Sequence, residues 1–196
     1  MKILTISDIV VPALYGEFET RRFQGIDLVL GCGDLPPEYL SFLVNALSVP
    51  LYYVRGNHDL RYDGSPPEGC IDLHNSLIRI NELNILGLEG SRWYNGGLQQ
   101  YTEQQMSAII RRLRFMLWMK GGVDIIITHA PPRTVHDEED LCHRGFKKYL
   151  WLINKYRPRY FIHGHIHRDF ADSSERVTVI NNTKVINTYG YHVIEI

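Results

Sequence analysis

Three histidines stand at alternating positions in the stretch Phe161-Ile162-His163-Gly164-His165-Ile166-His167. Histidine is the commonest metal ligand, and in an extended backbone residues two apart point to the same side. His165 and His167 would then lie about 6.5 Å apart at their Cα atoms, two strand rises. From there two imidazoles can reach two metal ions about 3.5–4 Å apart, the spacing of two-metal hydrolases. Four more polar clusters follow apolar runs elsewhere in the chain: Asp8, Asp34, Asn57-His58 and His129. Carboxylate, amide oxygen and imidazole together suit a borderline metal such as Mn, Fe, Co, Ni or Zn. A single Asp or Asn at a strand end is ordinarily a turn residue or a cap. Five such ends, taken as one constellation, point to a metal centre.

These side chains need elements to hold them. Apolar runs at residues 2–6, 27–30, 51–54 and 123–127, and the run ending at 162, read as buried strands, each opening into one of the polar clusters. Residues 38–47, after Pro36-Pro37, carry Leu40, Leu43, Val44 and Leu47 at helical spacing. Thr102-Glu103-Gln104-Gln105 is a capping box for a long helix that stops at Gly121-Gly122, and residues 145–156 form another helix before Pro158. Residues 77–80 and 84–88 read as a hairpin, and 177–180 and 183–187 as a second, joined by Asn181-Asn182, a pair that tolerates the positive φ of a tight turn. The charged stretch 17–24 reads as a short helix. Strands alternating with helices argue an α/β fold with parallel pairing, and about ten strands suggest two stacked mixed sheets flanked by helices. Ligands bind outside the carboxyl ends of strands in such sheets, so all five clusters would share one rim.

The bulk numbers fit this picture. A chain of 196 residues suits a single domain, 1–196, with a sizeable core. Net charge is −1, which leaves no global basic field to recruit nucleic acid or an acidic membrane. The apolar opening Met1-Lys2-Ile3-Leu4-Thr5-Ile6 is too short for a signal or a span. Cys32, Cys70 and Cys142 are an odd count without framework spacing and read as thiols of a cytoplasmic protein. No repeat, linker or low-complexity tract divides the chain.

The order Asp8, Gly33-Asp34, Gly56-Asn57-His58-Asp59, His129 and Gly164-His165-Ile166-His167 resembles that of the calcineurin-like metallophosphoesterases, over residues 7–167. The Gly-Asn-His-Asp and Gly-His-x-His pieces are its specific parts. The resemblance implies a four-layer αββα sandwich and two divalent transition metals, manganese among the candidates. Asp34 would bridge the pair, Asp8 and His167 would hold the first metal, and Asn57, His129 and His165 the second. The implied activity is hydrolysis of a phosphomonoester or phosphodiester on a small substrate by water attack. Two cations neutralise the ester's charge and lower the pKa of a bound water from 15.7 toward about 7. His58 would face the scissile phosphate as general acid or charge stabiliser, a role worth about 10²–10⁴-fold.

Two departures qualify the implication. The family's first motif is Asp-x-His, and here it reads Asp8-Ile9-Val10, so the first metal loses a ligand and should bind weakly. Glu17 or Glu19 lies near enough in sequence to substitute. In the protein-phosphatase branch a second Asp, three residues after the Gly-Asp motif, orients the histidine; here that position is Pro37. Arg55, His143 and Arg144 are the candidate substrate contacts, Arg55 with an equal claim to a structural role. Trp93 and Tyr94 could stack on a nucleobase or anchor their loop. Arg111, Arg112 and Arg114 read as a solvated helix face. A binding scaffold with a decayed metal site is the alternative to an enzyme; retention of Asn57, His58, His129, His165 and His167 argues against it. A nuclease would need a broad basic surface.

Overall fold

The computed structural model describes residues 1–16 and 21–196. Its strands are β1 (Lys2–Ser7), β2 (Leu28–Gly31), β3 (Leu51–Tyr53), β4 (Ile71–Asp72), β5 (Ser76–Ile80), β6 (Leu83–Leu88), β7 (Ser91–Arg92), β8 (Gln100–Tyr101), β9 (Ile125–Thr128), β10 (Tyr160–His163), β11 (Val177–Ile180), β12 (Thr183–Asn187) and β13 (Gly190–Glu195). The helices are α1 (Pro37–Leu47), α2 (Glu103–Met119) and α3 (Lys147–Tyr156).

Why the apolar runs become strands of a sandwich is visible in the alternation of their side chains. Ile3, Leu28, Leu30, Ile85, Ile125, Ile127, Ile162 and Ile186 share one apolar core. The residues between them turn the other way: Leu4, Ile6 and Val29 pack with Tyr39, Leu40 and Leu43 of α1, whereas Leu86, Ile126, Phe161 and Val185 pack with Ile110, Leu113, Leu152 and Ile153 of α2 and α3. Strands buried on both faces read as unbroken apolar runs, and the four layers α1, sheet, sheet, α2/α3 follow from which face each residue fills.

One sheet has the order β13-β1-β2-β3-β4 and the other β11-β12-β10-β9-β6-β5. β1, β2, β3 and β4 are parallel, with β13 antiparallel at the edge. β6, β9, β10 and β12 are parallel, with β5 and β11 antiparallel at the two edges. Register levels the ends that matter: Thr128 lies opposite both His163 and Leu88, and Gly31 opposite Ile6 and Tyr53. The polar clusters therefore leave their sheets at matched heights, three from one sheet and two from the other.

Several elements differ from the sequence reading. Of the helix expected at 17–24, residues 17–20 lie outside the described residues, and 21–25 form turns. The short strands β4, β7 and β8 lie in stretches read as loop, the last two pairing with each other across the Gly-rich segment. The third helix starts at Lys147 rather than 145, because Phe146 is tied to the Pro131-Pro132 segment by the bonds Phe146 N–H to Pro131 O (3.1 Å) and Arg133 N–H to Phe146 O (3.1 Å). β10 ends at His163, two residues short of His165, so the alternation expected to aim His165 and His167 does not operate there.

The start of α2 is as expected. Thr102 Oγ1 accepts the Gln105 N–H at 3.2 Å, and Gln105 Oε1 accepts the Thr102 N–H at 2.8 Å. Thr102→Ala leaves a first-turn donor without its partner and should cost about 0.5–2 kcal/mol of stability, readable as a shifted midpoint in urea denaturation.

Candidate metal centre

Three of the expected ligands occupy left-handed backbone: Asp8 at φ 67°, Asp34 at φ 55° and His165 at φ 68°. Such conformations are uncommon outside glycine and cost of order 1–3 kcal/mol each. They turn the chain sharply as it leaves each strand and bring side chains from separate strands together. Glycines make the approach close enough. A Cβ at Gly56 would lie 2.1 Å from Asp34 Oδ1, and one at Gly164 would lie 2.5 Å from Asp8 Oδ2. The glycines of the two specific motifs thus stand where a side chain would displace a carboxylate.

Asp34, His129 and His165 each present a ligating atom within 4.8 Å of the others. His129 is fully buried. Its Nδ1–H donates to Cys32 O at 2.8 Å, which leaves the Nε2 lone pair facing Asp34 Oδ2 at 3.2 Å and Asn57 Oδ1 at 3.1 Å. Asn57 is orientated from behind, its Nδ2 donating to the Tyr94 hydroxyl at 3.2 Å. His165 Nε2–H donates to Cys142 O at 2.9 Å, leaving its Nδ1 as the free acceptor. Backbone carbonyls therefore fix both tautomers, as outer partners of metal-bound histidines do. A carboxylate, an amide oxygen and two imidazole lone pairs converge, and only a cation or a proton at their centre makes that arrangement favourable. The donor set fits a borderline divalent metal.

The electrostatics register the same need. Burial by itself would lower the pKa of His129, but the Asp34 carboxylate against it, helped by Asp8, pushes it up to about 9. Burial and neighbouring His129 hold His165 well below the ordinary histidine range. Asp34, although buried, is held low by His129.

Asp8 and His167 form the other side of the centre. Both Asp8 oxygens face the His165 N–H, at 3.1 and 3.0 Å, and His167 Nε2 lies 3.3 Å from Asp8 Oδ1. The hydrogen bond that His167 donates to the Asp8 carboxylate raises its pKa, and its ring stacks on Tyr189 at 5.0 Å. A cavity of about 480 Å³ opens here, lined by Asp8, Asp34, His58 and, where a further ligand would stand, Val10. His58 is exposed; what the structure ties down is its backbone N–H, bonded to Asp34 Oδ1 at 2.8 Å.

Sequence reasoning assigned no role to Asp59, yet its buried carboxylate organises the turn. It accepts the N–H groups of Asp34 (2.8 Å), Leu35 (3.0 Å) and Gly56 (2.7 Å). Burial, with the nearby Asp34 charge, pushes its pKa up to about 6 against the pull of those donors. Its place in the Gly-Asn-His-Asp motif was the available signal. His163 was grouped with its two neighbours without a task. Its Nδ1–H donates to Gly164 O at 2.9 Å, while Nε2 accepts from His136 Nδ1 at 2.8 Å and His136 Nε2 accepts from Thr178 Oγ1 at 2.9 Å. Burial keeps both rings neutral, His136 down to about 4 with help from the Arg168 charge.

The expected substrate contacts divide. The His143 ring lies 5.2 Å from that of His165, beside the centre, with its Nδ1 3.0 Å from Asp140 Oδ2. The Arg55 guanidinium is engaged by Asp63 at 2.5 Å and Asp72 at 3.4 Å. Arg144 donates to Glu139 O at 2.6 Å, bonding within its own loop.

The class of protein is now defined on independent grounds. The model of the calcineurin-like phosphoesterase family matches residues 1–169, and the chain belongs to that family. The human and mouse proteins called metallophosphoesterase domain-containing protein 1 are each 24% identical to it over 199 aligned positions, covering 81% of this chain and 60% of theirs. The chain thus spans 60% of the length of these curated relatives. Among solved structures, TT1561 of Thermus thermophilus superposes with a TM-score of 0.65 at 14% identity, covering 96% of this chain and 89% of that one. A dimetal phosphatase from Danio rerio gives 0.60 at 12%, covering 98% and 91%. At these identities the likeness is one of fold, and it is the expected layered sandwich.

A cation at this centre must displace the His129 proton. His129 keeps that proton where an unfolded histidine, near 6.5, has lost it, so protonation stabilises the metal-free fold most fully below 6.5 and ceases to do so as pH rises through about 9. Apparent Mn²⁺ affinity should therefore climb across that window, by up to roughly tenfold per pH unit, in calorimetric titrations. His129→Gln has no such proton, and its binding should be weaker and flat over the same range.

Proposed function

We propose that this chain is a metal-dependent phosphoesterase, residues 1–196 acting as one domain, that hydrolyses a phosphomonoester or phosphodiester at the rim shared by its two sheets. The observation that carries the reading is the convergence of Asp34, His129 and His165 within 4.8 Å, with the tautomer of each histidine set by a backbone carbonyl. Asp34, Asn57, His129 and His165 would hold one divalent metal, and Asp8, Asp34 and His167 the other. The pair supplies neutralisation of the ester's negative charge and a lowered pKa for bound water.

The chain's own residues do the rest. Asp34 can serve both positions because one oxygen faces His129 and the other is steadied by the His58 N–H. Asp59 keeps the turns of Asp34 and Gly56 in place. Tyr94 holds the Asn57 amide with its oxygen inward. His58, exposed on the wall of the 480 Å³ cavity, is placed to protonate the departing oxygen, and the His143 ring lies beside that of His165. Family membership supports the hydrolase class; the substrate is to be found by assay.

Hydrolysis of bis-p-nitrophenyl phosphate and p-nitrophenyl phosphate should require added Mn²⁺ or a related ion. It should vanish in Asn57→Ala and fall about 10²–10⁴-fold in His58→Ala, the latter with metal affinity retained. Metal binding without turnover on either ester, over a broad range of metals and pH, would weigh against the enzymatic reading. It would favour a second one, a protein-binding scaffold, for which the observation is that Ile9 and Val10 expose apolar side chains at the cavity.

The two positions are unequal. Asp8 and His167 together offer the first metal less than Asn57, His129 and His165 offer the second, because Val10 contributes no donor. Val10→His should tighten the weaker of two Mn²⁺ dissociation constants by about 10–100-fold and leave the tighter one unchanged, as resolved by titration calorimetry.

A further inference from the structure

α2 carries two apolar stripes. One, Met106, Ile110, Leu113 and Leu117, is buried in the core. The other has no cover among the described residues: Phe115, Trp118 and Met119 are 66%, 76% and 60% exposed. The Phe115 and Trp118 rings lie 6.0 Å apart. Together with Arg114 and, from α3, Lys155 and Tyr156, they line a shallow depression of about 640 Å³. Exposed aromatics clustered in this way mark an interaction site.

Charge says what kind. The chain has net charge −1, but its charges are segregated. No Asp or Glu occurs between Glu103 and Asp124, or between Asp140 and Asp169. Those two intervals contain all of α2 after its first residue and all of α3. Arg111, Arg112, Arg114, Lys120 and Lys155 are exposed, and among the described residues none of them forms a salt bridge. Of the carboxylates that bound these intervals, the two at the ends of α2 are engaged locally: Glu103 accepts from Arg92 and from the first N–H groups of α3, and Asp124 accepts the Asn84 N–H. Asp140 and Asp169 are exposed, in the loops on either side of α3 and β10.

We infer that this face docks peripherally on an anionic lipid surface, Phe115, Trp118 and Met119 entering the headgroup region inside a ring of arginine and lysine. An amphipathic face of Trp, Phe and Met bordered by Arg and Lys is the composition of interfacial helices, and each basic residue near an anionic leaflet adds attraction. The lack of carboxylates along α2 after its first residue and along all of α3 suits a surface of uniform sign better than a protein partner, whose surface mixes signs. A second copy of the chain would bring two cationic rings together. No helix among the described residues is long and apolar enough to cross a membrane; the contact is with its surface.

The orientation is compatible with hydrolysis. Met119 and Tyr156 end the helices that lead into β9 and β10, whereas His129 and His165 follow those strands. Docking face and metal centre therefore sit at opposite ends of the same strands, and a docked molecule keeps its cavity toward water.

The test is co-sedimentation of the full chain with vesicles of phosphatidylcholine alone and of phosphatidylcholine with about one third phosphatidylserine. Partitioning should be at least about tenfold stronger with phosphatidylserine and should fall as salt rises. Arg111→Gln with Arg114→Gln, and separately Phe115→Ser with Trp118→Ser, should each weaken it about tenfold or more with melting temperature and esterase rate unchanged. Equal binding to both vesicles, no binding at low salt, or undiminished binding by both variants would overturn the inference. So would capture of a DNA duplex through these residues without vesicle binding, or self-association that the variants abolish.

Discussion

Everything at the rim depends on one crowded meeting of acceptors. Asp34 Oδ2 and Asn57 Oδ1 lie 3.2 and 3.1 Å from the same nitrogen of a buried histidine, at a point where a hydrogen-bond network would ordinarily alternate donors with acceptors. The Cys32 carbonyl has already claimed the Nδ1 proton of His129 on the other side of the ring. Such a cluster repels itself unless positive charge fills it, and the surroundings are built to resist the repulsion. Left-handed turns at Asp8, Asp34 and His165, glycines with no room for a Cβ, and the three-fold grip of Asp59 all hold the acceptors where they would not go unaided. Local strain at functional positions, compensated by a well-packed scaffold, is how such sites persist.

The scaffold explains why the strain is tolerable. Each of these turns leaves a strand buried on both faces, so the strands cannot shift to relieve it. The sheets contribute unlike parts: Asp8, Asp34 and Asn57 from one, His129, His165 and His167 from the other. The centre thus lies on the seam between layers, with carboxylate and amide chemistry on one side and imidazole on the other.

Much of this was legible in the letters, for identifiable reasons. Apolar runs that end in a polar residue survive as strands because burial on both faces demands them, and Thr102 with Gln105 announces a helix start through local chemistry alone. Five strand-end clusters were readable as one constellation because parallel strands share a rim. What failed to show was tertiary. Residues 145–146 read as the start of the third helix, but they are captured by the Pro131-Pro132 segment. His165 was expected to be aimed by strand alternation; it is aimed by a left-handed turn and the Cys142 carbonyl. Asp59 acts through backbone N–H groups 24–25 residues away in sequence for Asp34 and Leu35, a relation no periodicity reveals. Arg55 faces carboxylates eight and seventeen residues further on, which only the folded loop brings to it. Charge segregation does not show in the net charge, which averages over the faces of the molecule.

The pairing of β1 with β13 has a kinetic consequence. Lys2 lies opposite Glu195 and Ser7 opposite Gly190, so one side of the first strand is completed only by the last. Closing a loop that large is entropically costly before it is rewarded, and topologies dominated by such distant contacts fold slowly. Asp8, at the end of that strand, gains the His165 N–H only once residues far along the chain have been placed. The acceptor cluster can therefore assemble only late, after the hydrophobic layers have done the work of bringing its strands together. Its demand for a positive charge, met by a proton or a cation, then enters at the close of folding and not at the first step.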